Sequence, residues 1–238
     1  MRRQWKSALL AVCLLIGLSG GAAAAGNEPI DLVADTIEYD SVRGVMIATG
    51  NVKLVQGKSM MTGAQAEYNV KTQETYIHGG VKVVKEDATL IAEEVRGYDN
   101  NHLIAAGQPI LTKGENRLAG PKIDYYADKG YALVEGWARM DTADGVITGN
   151  RLEAFTQEER VVIDGNVHVV SETRKLDAVS DHAVYYGKKG EGRAVLTGNA
   201  RAIQDGNTLT GNSLTIYMDD KAMDAQGRSK LVVIPKDE

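Results

Sequence analysis

The chain has 238 residues, with 32 acidic side chains against 27 basic ones, four His and one Phe, for a formal net charge of −5. That balance argues against nucleic acid as a partner, because phosphate binding needs a concentrated basic face. Its one cysteine, Cys13, lies in the N-terminal segment, so stability in the remainder must come from burial and backbone pairing rather than disulfides.

Residues 1–25 read as a secretory signal peptide. Arg2, Arg3 and Lys6 make a basic head, residues 8–18 are an apolar stretch of 11, and Ala23-Ala24-Ala25 supplies small residues for cleavage before Gly26. The stretch falls short of the roughly 20 residues that cross a bilayer, which favours a cleaved leader over a retained anchor. Val12 stands before Cys13 where a lipid-modified cysteine needs a small residue, so Cys13 belongs to the leader. Removing 25 of 238 residues leaves 213, with 24 cationic and 32 acidic side chains and a net charge of −8.

After a short leader at 26–30, the phrase DLVADTIEYD opens a series. MMTGAQAEYN, LIAEEVRGYD, LAGPKIDYYA, VITGNRLEAF, LDAVSDHAVYY and LTGNSLTIYM follow it. Each has an apolar start, then a small residue, then alternation up to an aromatic, and this reads as one strand. The aromatics are Tyr39, Tyr68, Tyr98, Tyr125, Phe155, Tyr185 and Tyr217, placed to close the edge of a core. Polar turns follow at 40–44, 99–101, 127–130 and 187–190. A second strand then runs through a pivot glycine: Gly50, Gly79, Gly107, Gly136, Gly165, Gly198 or Gly227, spaced 29, 28, 29, 29, 33 and 29 residues apart. A period near 30 marks a repeat array in which each unit buries its apolar face against its neighbours. Residues 26–238 are therefore expected to form one all-β domain of seven repeats with about 14 or more strands, nearly free of helix. Fourteen strands would span about 65 Å. Pro109 and Pro121 should interrupt pairing locally.

Aligned on the pivot, the repeats give columns. Two positions before it stand Ala48, Ile77, Ala105, Val134, Ile163, Leu196 and Ala225; four after it stand Leu54, Val83, Leu111, Met140, Val169, Ala202 and Leu231. Their even offsets direct them to one face, forming an aliphatic trough along the array. The columns alone fit two readings, the closed core of a sandwich or an open groove for a lipid tail. A lining of Ala and Val in place of Phe and Trp favours the groove, because such side chains fill the space between two sheets poorly. Three positions after the pivot, Lys53, Lys82, Ile110, Arg139, His168, Arg201 and Lys230 face the other way, cationic but for Ile110. A solvated outer face explains them better than phosphate contacts do.

Catalysis is not expected. His78, His102, His168 and His182 fall in different repeats without metal-ligand spacing, and HExxH, GxSxG and phosphate-loop patterns are lacking. No cofactor or metal is anticipated.

The recurring phrases ATGNVKLVQG, IHGGVKVVKE, IDGNVHVVSE and LTGNARAIQD, with Leu-x-[Ala/Gly] starts and Tyr-[Asp/Asn] turns, resemble the OstA-like family of lipopolysaccharide-transport proteins over residues 31–235. The resemblance implies a β-jellyroll, or taco, of two facing antiparallel sheets. It also implies lipid A acyl chains in the groove and a periplasmic location. End-to-end assembly would make a bridge between an inner-membrane transport complex and an outer-membrane translocon that carry similar domains. With no barrel after the array, a soluble bridge component is expected rather than the translocon. Under that reading, Leu32 and Ile37 at one end and Leu231 and Val233 at the other are the self-association edges, open to strand addition. Two rivals remain at this point: an envelope repeat protein with a filled core and no ligand, and a β-helical polysaccharide-binding protein, whose strands would be parallel.

Overall fold

A computed structural model describes residues 30–98, 102–126, 128–142, 145–187, 192–217 and 222–235. The proposed leader at 1–25 and turn residues 99–101, 127 and 188–190 lie outside them. The described chain is all-β: β1 (Ile30–Val33), β2 (Thr36–Asp40), β3 (Val45–Gln56), β4 (Ser59–Asn69), β5 (Glu74–Lys85), β6 (Ala88–Tyr98), β7 (His102–Ala106), β8 (Ile110–Lys113), β9 (Asn116–Ala119), β10 (Lys122–Tyr126), β11 (Tyr131–Thr142), β12 (Gly145–Phe155), β13 (Arg160–Ser171), β14 (Leu176–Tyr186), β15 (Arg193–Gln204), β16 (Asn207–Tyr217), β17 (Met223–Gln226) and β18 (Lys230–Val232). All pairings are antiparallel. This removes the parallel β-helix from consideration.

The long strands β3–β6 and β11–β16 form meanders that bend near the middle, so one sheet folds into two facing arms. The first arm holds the half of each odd-numbered long strand before its pivot glycine, and the second arm holds the half after it. At the array's ends the halves are separate strands: β2 and β1 flank β3, and β17 and β18 flank β16. Each arm thus has fourteen rungs. At about 4.8 Å per rung, its length is roughly 62 Å.

The bend is made by paired left-handed residues. Gly50 and Asn51 have φ of 78° and 47°, Gly165 and Asn166 have 73° and 51°, and Gly198 and Asn199 have 74° and 50°. Glycine adopts this region without cost, and asparagine is among the few other residues that tolerate it. The asparagine also ties the bend to the chain that precedes it, at the β1–β2 link or on β14. Asn51 Nδ2 donates to Asp35 Oδ2 at 2.9 Å, and Asn199 Nδ2 to Asp181 Oδ2 at 2.8 Å. Register slips at every pivot of the long odd strands, as a bulge requires.

The prolines act where expected. Gly107-Gln108-Pro109 separates β7 from β8, and Gly120-Pro121 separates β9 from β10, so two would-be long strands are each cut at the bend. The four halves keep their places, because β7 and β8 both pair with β6 while β10 and β9 both pair with β11. Seven uniform hairpins is therefore a simplification at the third repeat. The 33-residue spacing also has a local cause. The β13–β14 turn has four residues where the others on its rim have two, and six separate β14 from β15 where four is usual on the opposite rim.

The small residue after each unit's apolar start sits inside the bend of an even strand, where space runs out. A Cβ on Gly120 would strike Val134 Cγ1 and stand 2.9 Å from the Trp137 carbonyl oxygen, and one on Gly149 would strike Ile163 Cγ2. Because Val134 is stiff and Trp137 contributes backbone, Gly120→Ala should destabilise the fold by about 1–3 kcal/mol, read as a lower urea midpoint with unchanged slope.

The aromatic positions split between two faces rather than forming one column. Tyr39, Tyr68, Tyr125 and Tyr185 share an inward-facing row of register partners, whereas Tyr98, Phe155 and Tyr217 share the adjacent outward row. That outer row stacks: Tyr98 on His102 at 5.2 Å, His102 on Tyr126 at 4.2 Å and Tyr131 against Phe155 at 5.3 Å. Arg160 lies 3.9 Å over Phe155 and Arg193 lies 4.9 Å over Tyr186. Side chains opposite one another on neighbouring strands stabilise the pairing in this way.

Candidate functional site

The register joins the two apolar columns into continuous rows. The first row runs from Ile37 through Ala48, Ala66, Ile77, Val95, Ala105, Ile123, Val134, Leu152, Ile163, Ala183, Leu196 and Leu214 to Ala225. The second runs from Leu32 through Leu54, Met61, Val83, Leu90, Leu111, Leu118, Met140, Ile147, Val169, Ala178, Ala202 and Leu209 to Leu231. Every member of both rows is apolar. Each row has one residue per strand, so no polar side chain interrupts either over its fourteen rungs.

Eleven of the twelve residues anticipated for the trough are buried in one hydrophobic cluster; Val169 is half-buried and packs against it. The sequence reading missed the even-strand partners. They are pairs five residues apart, such as Met61 and Ala66, Leu90 and Val95, or Ile147 and Leu152. In a regular strand residues five apart face opposite ways, but the bend between them reverses the alternation and returns both to the interior. The apolar start of each unit carried half of that signal.

Each row has one exposed end, Ile37 in the first and Leu231 in the second, while the opposite ends, Ala225 and Leu32, are half-buried against the cluster. Val233 is also exposed. All five residues of β2 are exposed, as are all three of β18. Val33, Tyr39, Val232 and Ile234 add exposed apolar surface at these ends. Among the described residues, β1 and β2 have register partners on β3 alone, and β17 and β18 on β16 alone. The C-terminal tail is fixed by Ile234 N donating to Asn207 Oδ1 at 3.0 Å.

The cations three positions past the pivot do form one row. Thr62, Ile91, Thr148, Val179 and Thr210 stand between them on the even strands, which keeps like charges from standing directly opposite. Lys53, Lys82, Arg139, Arg201 and Lys230 are exposed. Arg139 is paired to Asp141 at 2.6 Å, and His168 lies 3.2 Å from Asp177.

Elsewhere on the outer face, burial pushes the Tyr131 hydroxyl up to about 12, helped by its 2.6 Å bond to Glu153. Burial works against the Arg151 charge, but Glu153 at 2.6 Å and Glu135 at 3.5 Å outweigh it and raise its pKa. These groups brace neighbouring strands and face away from the trough. Among the described residues, no group of three or more His, Cys, Asp or Glu is placed to hold a metal ion.

Taken together, fold and interior define an all-β jellyroll whose two facing sheets enclose an aliphatic seam along the whole array. The chain belongs to the family described as LptA/(LptD N-terminal domain) LPS transport protein, whose family model matches residues 61–222. This is a transport family rather than an enzyme family. No curated protein matches the chain. A solved structure similar to it is the crystal structure of LptH, the LptA-homologous periplasmic component of the lipopolysaccharide transport device from Pseudomonas aeruginosa. It is 15% identical, with 87% of this chain and 96% of that chain covered and a TM-score of 0.17.

Proposed function

We propose that this protein is a periplasmic lipopolysaccharide carrier. In this reading it holds lipid A acyl chains between its arms and joins other copies, an inner-membrane complex and an outer-membrane translocon end to end. The observation that carries the reading is the pair of unbroken aliphatic rows, fourteen residues each, that run out at both ends of the array. Acyl carbons gain roughly 0.8 kcal/mol per buried CH₂, so a seam of even character offers similar affinity at each rung. Transport along it needs no chemistry from the protein.

One observation favours a second reading. The seam residues are buried against one another in one hydrophobic cluster, as in the filled core of an envelope repeat protein. The carrier reading therefore requires the arms to part when cargo enters. A photo-crosslinking residue at Ile163 or Val134 tests this in cells. Lipopolysaccharide adducts from these positions are expected; none from either would leave the filled core as the better account.

A further inference from the structure

Nine of the ten tyrosines, and the single Phe, stand on the rim of the first arm. Among the described residues, no Tyr, Phe or Trp belongs to the rim of the second. The two rims face each other across the mouth of the seam. Arg174 Nη2, in the 172–175 turn of the second, donates to the Tyr217 carbonyl oxygen at the end of β16 in the first, at 2.8 Å.

The outward row of this aromatic rim is continuous. From Tyr98 to Tyr217, nine successive rungs carry only Tyr, Phe, His or Arg. Cross-strand stacking accounts for the rings. It does not account for the hydroxyls, because phenylalanine packs equally well, as Phe155 does against Tyr131. Among the described residues, none bonds to the hydroxyls of Tyr98, Tyr126 and Tyr186, which reach solvent. Arg193 is exposed, with its guanidinium 4.9 Å over the Tyr186 ring and no carboxylate partner among the described residues.

We propose that the first-arm rim is a lip that carries the sugar headgroup of a glycolipid whose acyl chains lie in the seam. The proposal rests on the carrier reading and adds which rim meets the headgroup, and through which groups. Tyrosine suits a boundary between apolar and wet surroundings, because its ring buries while its hydroxyl keeps a polar partner. Chains held between the arms leave the sugars at the mouth. There the Tyr98, Tyr126 and Tyr186 hydroxyls can donate to sugar hydroxyls or accept from them. The Arg193 fork matches a phosphate on a sugar. Rungs about 4.8 Å apart repeat these groups along the rim, so the headgroup keeps partners while the chains slide.

The test is competition against a bound fluorescent acyl probe, by lipopolysaccharide bearing its core sugars and by myristate, which has none. Full chains are compared: wild type, a triple variant (Tyr98→Phe, Tyr126→Phe, Tyr186→Phe), Arg193→Gln, and a control pair, Thr89→Val with Thr208→Val. The control removes two hydroxyls from the outer face of the second arm. The triple variant keeps every ring, so its melting temperature should stay near that of wild type. It is expected to weaken lipopolysaccharide about tenfold and to leave myristate within about twofold. Arg193→Gln should lose about threefold on lipopolysaccharide alone, and, being at an exposed position, it decides the matter if the triple variant does not fold. The control pair should leave both ligands within about twofold. Equal changes on both ligands, no change on either, or a control pair that matches the triple variant would overturn the lip while leaving the carrier reading intact. If neither competitor displaces the probe from wild type, the carrier reading falls and the lip with it.

Discussion

Ile163→Asp should yield little folded protein and none that retains lipid, whereas Lys82→Ala should alter neither property. Ile163 is 1% exposed and lies in the first row between Leu152 and Ala183, beside the bend at Gly149. Removing its aliphatic side chain costs about 2–5 kcal/mol in a packed interior. A carboxyl with no partner in that position adds the expense of taking a polar or charged group out of water. The sum approaches the whole stability of an ordinary domain, about 5–15 kcal/mol. Lys82 is exposed on the opposite face in a row where cations alternate with neutral residues, so truncating it removes little. Urea unfolding measures the first effect. Mass spectrometry of gently purified protein measures retained lipid, with Ile163→Ala as the folded intermediate. A greater loss of lipid from Lys82→Ala than from Ile163→Ala would place the cargo on the outer face.

Placing Asp at Leu231 and Val233 together should abolish self-association and leave the melting temperature nearly unchanged. Both side chains are exposed, at 61% and 58%, and Leu231 is the last member of the second row. Nothing inside the chain depends on covering them, so the cost to the fold is small. In an assembly, the row would continue from Leu231 onto the Leu32 and Ile37 end of the next copy, with β18 and β2 adding backbone bonds across the joint. Exposed strand edges with apolar side chains normally invite unwanted pairing; in the proposed assembly that pairing would be the joint. Two carboxylates would be desolvated there without partners. Light scattering across a concentration series should report the mass of one chain for the double variant and for Ile37→Asp, against larger species for wild type. Wild-type protein that stays monomeric at every concentration would remove the joint from the proposal.

Much of this architecture could be read from local chemistry. The glycine-centred phrase recurs because each bend needs one residue, often two, with left-handed backbone, and Gly with Asn meets that need most cheaply. Pro109 and Pro121 lack a backbone donor, so the cut at the bend could be placed from sequence alone. The columns two before and four after the pivot also keep their phase, because the paired left-handed residues restore alternation. The even strands were illegible for the opposite reason. Their bends reverse the phase, so Met61 and Ala66 face the same interior despite an odd spacing. Only the register with β3 and β5 shows it. The aromatic column was misread as one set because its members stand at unequal distances from the pivot, and the strand pairing divides them between two faces.

The sequence by itself determined a repeat-built antiparallel β protein with an aliphatic interior, and it pointed to the transport family. Period-two alternation, turn residues and the 30-residue recurrence are local properties, written in consecutive residues. Tertiary structure alone decided that the two rows run unbroken from Ile37 and Leu32 to Ala225 and Leu231, and that Arg174 meets Tyr217 across 43 residues of chain. Those contacts arise only when the sheet folds over on itself, because the bend sets which distant rungs come to face each other.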